Sequence, residues 1–338
     1  MRLAVEPFAL PFREPLRAAW GVLERRELLR VRLVADDGVE GLGEAAPLEP
    51  YDGVAPAAVR AALDAYAEVL AGCEEVGALE ACRAERDIPQ ALAAVDLALW
   101  DLAGKRAGRP VAQLISVEAA RSIPVNAAIG AEDRAGAAAA AAAAAAAHFD
   151  TVKVKVGVGD DAGRIAAVRA AVGPRVALRV DANGAWEVPE AVAALRSLAP
   201  AGIELAEEPV HGVEALRAVR AEVDVPVAMD ETAAEEGAPG SGAADAVCLK
   251  IARCGGISGV LRDAAAARAA GSAFYLASSY DGPLGIAAGV HAAAGLTAGG
   301  PLPAHGLATL SAFAEPGERL HAVRGAIRVP HEPGLGVA

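Results

Sequence analysis

Apolar and polar positions follow two different rhythms along this chain. From about Ser122 onward, short apolar segments recur: IPVNAAIG, TVKVKVG, VALRVDANG, IELAEEP, VPVAMDE, AVCLKIA and SAFYLAS. Between them, an alanine-rich stretch and residues 160–172 and 188–198 carry helical spacing. Strands alternating with helices predict a parallel sheet, and eight such units can close into a barrel. The expected fold class is α/β, a (β/α)7–8 TIM-type barrel, with the eighth strand placed near Leu296 to Leu302. Residues 1–50 follow the other rhythm. LLRVRLVADDGVEGLGEAAP holds an apolar run, a turn at Asp36-Asp37-Gly38 and a second short strand, which predicts an antiparallel sheet. Residues 55–71 and 91–104 read as helices, with Gly104 and Gly108 as stop signals. The expected organisation is an α+β domain over 1–118, a barrel over 119–304, and a C-terminal segment, 305–338, packing back on the first domain.

Composition narrows this picture. A length of 338 residues suits a barrel of about 250 residues plus a smaller domain. Hydrophobic residues make up 54%, enough for a large core, and the alanine excess suits helices. A net charge of -13 argues against a nucleic-acid surface and means that an anionic substrate needs local positive charge. Cys73, Cys82, Cys248 and Cys254 lack CxxC spacing and read as reduced thiols. The run from Ala137 to Ala147 is too short to span a bilayer, and no signal segment opens the chain. The expected partners are a small carboxylate substrate and further copies of the chain, with no nucleic acid and no membrane, in a cytoplasmic setting.

Candidate chemistry gathers at the ends of the strand-like segments. Lys155, Asp181, Glu207, Asp230 and Lys250 close successive segments at spacings of 26, 26, 23 and 20 residues. Barrels collect their chemistry at the C-terminal ends of their strands. One acid at a strand end is ordinary turn composition, but three in register between two lysines make a candidate metal site. Asp181, Glu207 and Asp230 are hard oxygen ligands, suited to Mg2+ with Mn2+ as the alternative. Glu208 competes with Glu207 within EEP, and alternation along a strand lets only one face the mouth. Lys153 and Lys155 share a face, which would be costly without an anionic partner. A neighbouring cation such as Lys153 favours Lys155 as a base near neutral pH. Softer candidates for holding substrate are Asn183, Ser278, Ser279 and Trp20, the last on a loop at 15–25 expected to close over the site. The six histidines form no HxH or HExxH pattern, which counts against a zinc hydrolase.

KVK at 153–155, DAN at 181–183, EEP at 207–209, DE at 230–231 and KIARCGG at 250–256 together resemble the enolase superfamily, in its muconate-lactonizing subgroup. RVRLVADDGVEGLGEAAP resembles that family's capping domain, and AAVDLALWDLAGKRAGRP resembles the helix before its barrel. The resemblance implies that Asp181, Glu207 and Asp230 bind Mg2+ and that Lys155 and Lys250 are the acid/base lysines. It also implies abstraction of a proton next to a carboxylate through an enolate, the chemistry known for that superfamily. SSYDGPLGIAAGVHAAAG with PLPAHGLATL is similar to o-succinylbenzoate synthases, which implies dehydration on the route to menaquinone. The alternatives are an N-acylamino acid racemase or dipeptide epimerase, or a muconate cycloisomerase. Dipeptide epimerases of the family carry an Asp-x-Asp pair near the eighth strand, and PLPAHGLATL has none. A non-catalytic barrel scaffold is the alternative of another class.

Overall fold

The computed structural model describes residues 1–18, 21–130, 132–300, 303–315, 317 and 319–337. The chain opens with an antiparallel sheet of β1 (Arg2–Ala18), β2 (Gly21–Val34) and β3 (Glu40–Ala45). β1 and β2 stay paired out to Ala18 opposite Gly21, with one irregularity between Pro11 and Leu16. The segment expected to be a loop at 15–25 is therefore largely hairpin, and Trp20 lies outside the described residues.

Five helices follow: α1 (Glu49–Asp52), α2 (Pro56–Ala71), α3 (Ala78–Glu85), α4 (Pro89–Ala107) and α5 (Val111–Ile115). Helix α4 starts on a proline, whose fixed φ suits a first turn, and stops at Gly108 in the left-handed conformation, φ 61°. It is buried along most of its length because β3 lies directly against its backbone. A Cβ at Gly41 would come within 2.0 Å of the Ala98 carbonyl oxygen, and one at Gly43 within 1.9 Å of that of Ala94. Glycine is the residue that permits this approach.

The barrel sheet is parallel throughout, each strand hydrogen-bonded to the next in chain order. Its strands are β5 (Ala127–Ile129), β6 (Thr151–Lys155), β7 (Ala177–Asp181), β8 (Ile203–Glu207), β9 (Val227–Met229), β10 (Ala246–Lys250) and β11 (Ala273–Ala277). Helices α6 (Arg134–Ala146), α7 (Asp161–Val172), α8 (Val188–Leu198) and α9 (Val213–Glu222) lie between successive strands from β5 to β9. A short helix, α10 (Ile251–Cys254), and then α11 (Ile257–Ala269) connect β10 to β11, and α12 (Pro283–Leu296) follows β11.

No strand forms among the described residues, 296–300, of the expected eighth-strand segment. Helix α12 continues through Leu296, and its burial from Leu284 to Gly295 outweighs the weak helix preference of its three glycines. The two sheet edges are joined instead at His305 and Gly306. His305 bridges to Val125 beside β5, and Gly306 bridges to Ala277 of β11. Two residues suffice because the His305 side chain adds a bond, its Nδ1 accepting the Leu276 N–H at 3.0 Å. Burial, with Arg179 nearby, pushes this histidine down to about 3, so it is neutral.

Residues beyond the barrel return to the first domain. β12 (Ala326–Arg328) pairs antiparallel with β4 (Ser122–Pro124). The Leu335 N–H then donates to Asp101 of α4 at 2.8 Å, and the Val111 N–H of α5 donates to the Gly334 carbonyl at 2.9 Å. One core fills the barrel wall and a second fills the capping domain between α2, α4 and the small sheet. Among the described residues no helix is long and apolar enough to cross a membrane.

Candidate active site

Strand register puts Lys155, Asp181 and Glu207 on one level, with Asp230 two residues further along at the end of β9 and Lys250 two residues further again along β10. Lys155 is paired with Asp181, and Asp181 with Glu207, across β6, β7 and β8. Asp230 follows the last residue of β9, and Lys250 is the last residue of β10. Read around the barrel, the order is lysine, aspartate, glutamate, aspartate, lysine. The carboxylates occupy the three middle strands and the lysines flank them.

The carboxylates are deeply buried, between 1% and 6% exposed, and are held by cations. Lys153, two residues before Lys155 and on the same face, places its Nζ 2.6 Å from Glu207 Oε1 and 2.9 Å from Asp181 Oδ2. Lys155 Nζ stands 3.9 Å from Asp181 Oδ2. Lys250 Nζ binds both oxygens of Asp230 and donates to the Tyr51 hydroxyl at 2.6 Å. That hydroxyl donates in turn to Asp230 Oδ2 at 3.0 Å and accepts from Arg253 at 3.0 Å. Tyr51 belongs to α1, so the capping domain reaches into the barrel mouth at this point. On the opposite side of Glu207, the Tyr275 hydroxyl donates to Oε2 at 2.6 Å.

The charge balance follows from these contacts. Burial works against the Lys153 ammonium, but Asp181 and Glu207 outweigh it and raise its pKa. Burial also works against the Asp230 carboxylate, yet Lys250, Lys153 and Arg253 hold it below the ordinary carboxylate range. Asp181 is likewise lowered against burial by Lys153 and Lys155. Glu207 is the exception: burial raises it and Lys153 only partly offsets this. Lys153 thus bridges Asp181 and Glu207, while Lys250 holds Asp230. The donor set fits a hard divalent ion such as Mg2+. Glu207, Asp230 and Cys248 also bring ligand atoms within 4.8 Å of one another, so one thiol lies on the floor of the cluster.

Other expected residues take different places. The Asn183 side chain donates to Glu231 Oε1 at 2.8 Å, and its backbone N–H caps Asp181 Oδ1 at 3.0 Å. It therefore props the carboxylates from beside the site. Ser278 Oγ pairs with Thr309 Oγ1 at 2.7 Å, and Ser279 lies beside the buried Asp281 carboxylate. Neither hydroxyl joins the carboxylate cluster. Glu208 does not join it either; it accepts the Asp230 N–H at 2.6 Å and the Thr232 N–H at 3.0 Å, and so holds the loop that carries Asp230. Sequence reasoning missed Tyr51, Arg253, Cys248 and Tyr275. Alternation along the strands was a usable signal for two of them. Cys248 precedes Lys250 by two residues, and Tyr275 has the parity of Ala277, so both point into the barrel. Tyr51 had no such signal, since it arrives from another domain.

Comparison with known proteins agrees with this arrangement. Residues 3–116 match the mandelate racemase / muconate lactonizing enzyme N-terminal domain, and residues 136–338 match the enolase C-terminal domain-like model. The chain is 31% identical over 317 residues to the L-Ala-D/L-Glu epimerase of Bacillus subtilis, covering 87% of this chain and 84% of the relative. The structure of N-succinyl Arg/Lys racemase from Bacillus cereus superposes with a TM-score of 0.90 at 28% identity, covering 100% of this chain and 95% of that one. A dipeptide epimerase from Enterococcus faecalis, solved with Mg and the dipeptide L-Leu-L-Tyr, superposes with a TM-score of 0.89 at 27% identity, covering 99% and 98%. These relatives are epimerases and a racemase, and they give no support to dehydration to o-succinylbenzoate or to a menaquinone role.

Proposed function

The chain belongs to the mandelate racemase / muconate lactonizing enzyme family of the enolase superfamily, and from that premise we propose that it racemises or epimerises an N-acylated α-amino acid. The family's shared chemistry is metal-dependent removal of a proton next to a carboxylate. The observation that carries the finer reading is the placement of Lys155 on β6 and Lys250 on β10, on either side of Asp181, Glu207 and Asp230. A substrate α-carbon held over the carboxylates presents one face to each lysine. One lysine takes the α-proton and the other returns a proton to the opposite face, inverting the centre.

Asp181, Glu207 and Asp230 would hold Mg2+, which when bound stabilises negative charge developing on the substrate carboxylate. The chain's own residues do the remaining work. Lys153 neutralises Asp181 and Glu207 from the inner side, so the cluster survives burial. Lys250 is oriented by Asp230 and Tyr51, and Arg253 holds Tyr51 in place. A blocked amino group is favoured over a free one because PLPAHGLATL, the stretch containing the closing His305 and Gly306, offers no carboxylate for an ammonium.

The test is incubation of each enantiomer of N-acetyl and N-succinyl amino acids, beside dipeptides, with the protein and Mg2+, followed by chiral chromatography. Racemisation of N-acyl substrates, absent with EDTA, is expected. Turnover of dipeptides alone would overturn the preference for a blocked amino group, and no inversion of either class would overturn the two-lysine reading.

A further inference from the structure

Beneath the carboxylates, the barrel interior is filled by one large ring among small neighbours. Tyr275 is 3% exposed and packs with Leu205, Ala228, Ala246, Cys248 and Ala277. Three of these inward positions are alanine, which leaves room for a single aromatic side chain. Two contacts fix the ring. Its hydroxyl donates to Glu207 Oε2 at 2.6 Å. Its face receives the Arg179 guanidinium, whose carbon lies 5.1 Å from the ring centroid. Arg179 is itself pinned, donating to Glu204 Oε2 at 2.7 Å and to the Ala304 carbonyl at 2.8 Å. A continuous rod of contacts therefore runs from the strand junction near Ala304 through Arg179 and Tyr275 to Glu207.

We propose that Tyr275 is a positioning residue for metal binding, holding Glu207 so that Oε2 faces the floor and only Oε1 is offered to the ion. This rests on the reading of Glu207 as a metal ligand. The physical reason is that the phenol on Oε2 fixes the orientation of this buried carboxylate, so that Oε1, which accepts from Lys153, is the oxygen an ion could share. Without the phenol, Oε2 loses a buried donor and Glu207 is anchored by Lys153 alone, 2.6 Å from Oε1, about which the carboxylate can rotate. Residues that orient a metal ligand in this way typically change affinity by about 10–100-fold when removed. Lys155 and Lys250 make no hydrogen bond to Tyr275 or Glu207, so the effect should fall on the ion and leave the proton-transfer step intact once metal saturates.

The experiment is Mn2+ titration of the metal-free protein, counting free Mn2+ by electron paramagnetic resonance, for wild type, Glu207→Gln, Tyr275→Phe and Tyr275→Gln. Melting in EDTA is measured alongside. The expected result is a Kd about 10–100-fold weaker in Tyr275→Phe. Partial recovery is expected in Tyr275→Gln, whose amide can donate in place of the phenol, and the EDTA melting points should not track the affinities. A Tyr275→Phe Kd equal to or tighter than wild type would overturn the proposal. So would equal loss in both Tyr275 variants with a matching fall in EDTA melting point, because that marks a packing role only. If Tyr275→Phe does not fold, Tyr275→Gln alone decides by the same two measurements. Tight Mn2+ binding by Glu207→Gln, or none by wild type, would show that the metal-ligand reading is at fault, and the proposal falls with it.

Discussion

Lys155 and Lys250 are the same residue in two environments. The Lys155 side chain is 31% exposed and has one carboxylate oxygen 3.9 Å away, whereas Lys250 is 7% exposed and bound to Asp230 and Tyr51. Tyr51→Phe removes the hydroxyl that joins Lys250, Asp230 and Arg253. The expected outcome is an asymmetric defect: proton exchange slows more for the enantiomer whose α-proton faces Lys250, as proton NMR of each enantiomer would show. Equal slowing of both would contradict it. Glu44 carries a second prediction at this scale. Its Oε1 accepts the Gly282 N–H at 2.7 Å at the start of α12, while Oε2 is buried without a partner among the described residues. Burial, and then the charge of Asp281, pushes it up to about 8. A carboxyl raised on folding contributes stability in full below its unfolded pKa, about 4.5, and loses it as pH rises toward the folded value. The metal-free protein should therefore melt lower as pH rises from 5 to 8, and Glu44→Gln should flatten that slope. An unchanged slope would remove Glu44 from the account. Much of the residue scale was legible in the sequence, because a polar residue closing an apolar strand has few bland explanations when it recurs in register. What escaped were residues whose role comes from a partner distant in sequence, such as Tyr51 with Lys250.

Among the elements, the βα rhythm could be read because strand and helix periods differ, so seven strand-like segments stood out. The closing strand was misplaced because its pairing rests on only two residues, His305 and Gly306, with no alternation to detect. The apolar run preceding it is the end of a helix. A different local rule governs β3 and α4. Gly41 and Gly43 sit where a Cβ would strike the backbone carbonyls of Ala98 and Ala94. Backbone cannot give way as a flexible side chain can, so Gly43→Ala should destabilise the fold by about 1–3 kcal/mol, read by urea unfolding of the metal-free protein. A neutral result would mean that β3 shifts away from α4 at little cost. Arg26 joins the same domain to the barrel, donating to the carbonyls of Ala46 and Pro47 at 3.0 and 2.7 Å and to Tyr280 at 3.2 Å. It ties the loop leading to Tyr51 to the loop leaving β11, which keeps the two halves of the site in register.

For the whole molecule, the decisive feature is a group of like charges kept together inside a protein of net charge -13. Lys153, Lys250 and Arg253 make this possible, and a divalent ion would add to them. Mg2+ at a hundredfold excess over its Kd should stabilise the protein by about 2.7 kcal/mol, seen as a rise in melting temperature. No rise would favour a scaffold without a metal site. The capping domain, the barrel and the returning C-terminal segment meet through contacts between Arg26 and Tyr280, Tyr51 and Lys250, and Asp101 and Leu335. None of these was legible in the sequence, since periodicity reports an element's own faces and not which element will cover them. The most direct test of the central claim is exchange of the substrate α-proton in D2O with Mg2+, followed by proton NMR for each enantiomer of an N-acylamino acid, in wild type, Lys155→Ala and Lys250→Ala. The account predicts exchange of both enantiomers by wild type, and in each variant loss of inversion with exchange surviving for at most one enantiomer, a different one in each. Inversion persisting in either variant would contradict it.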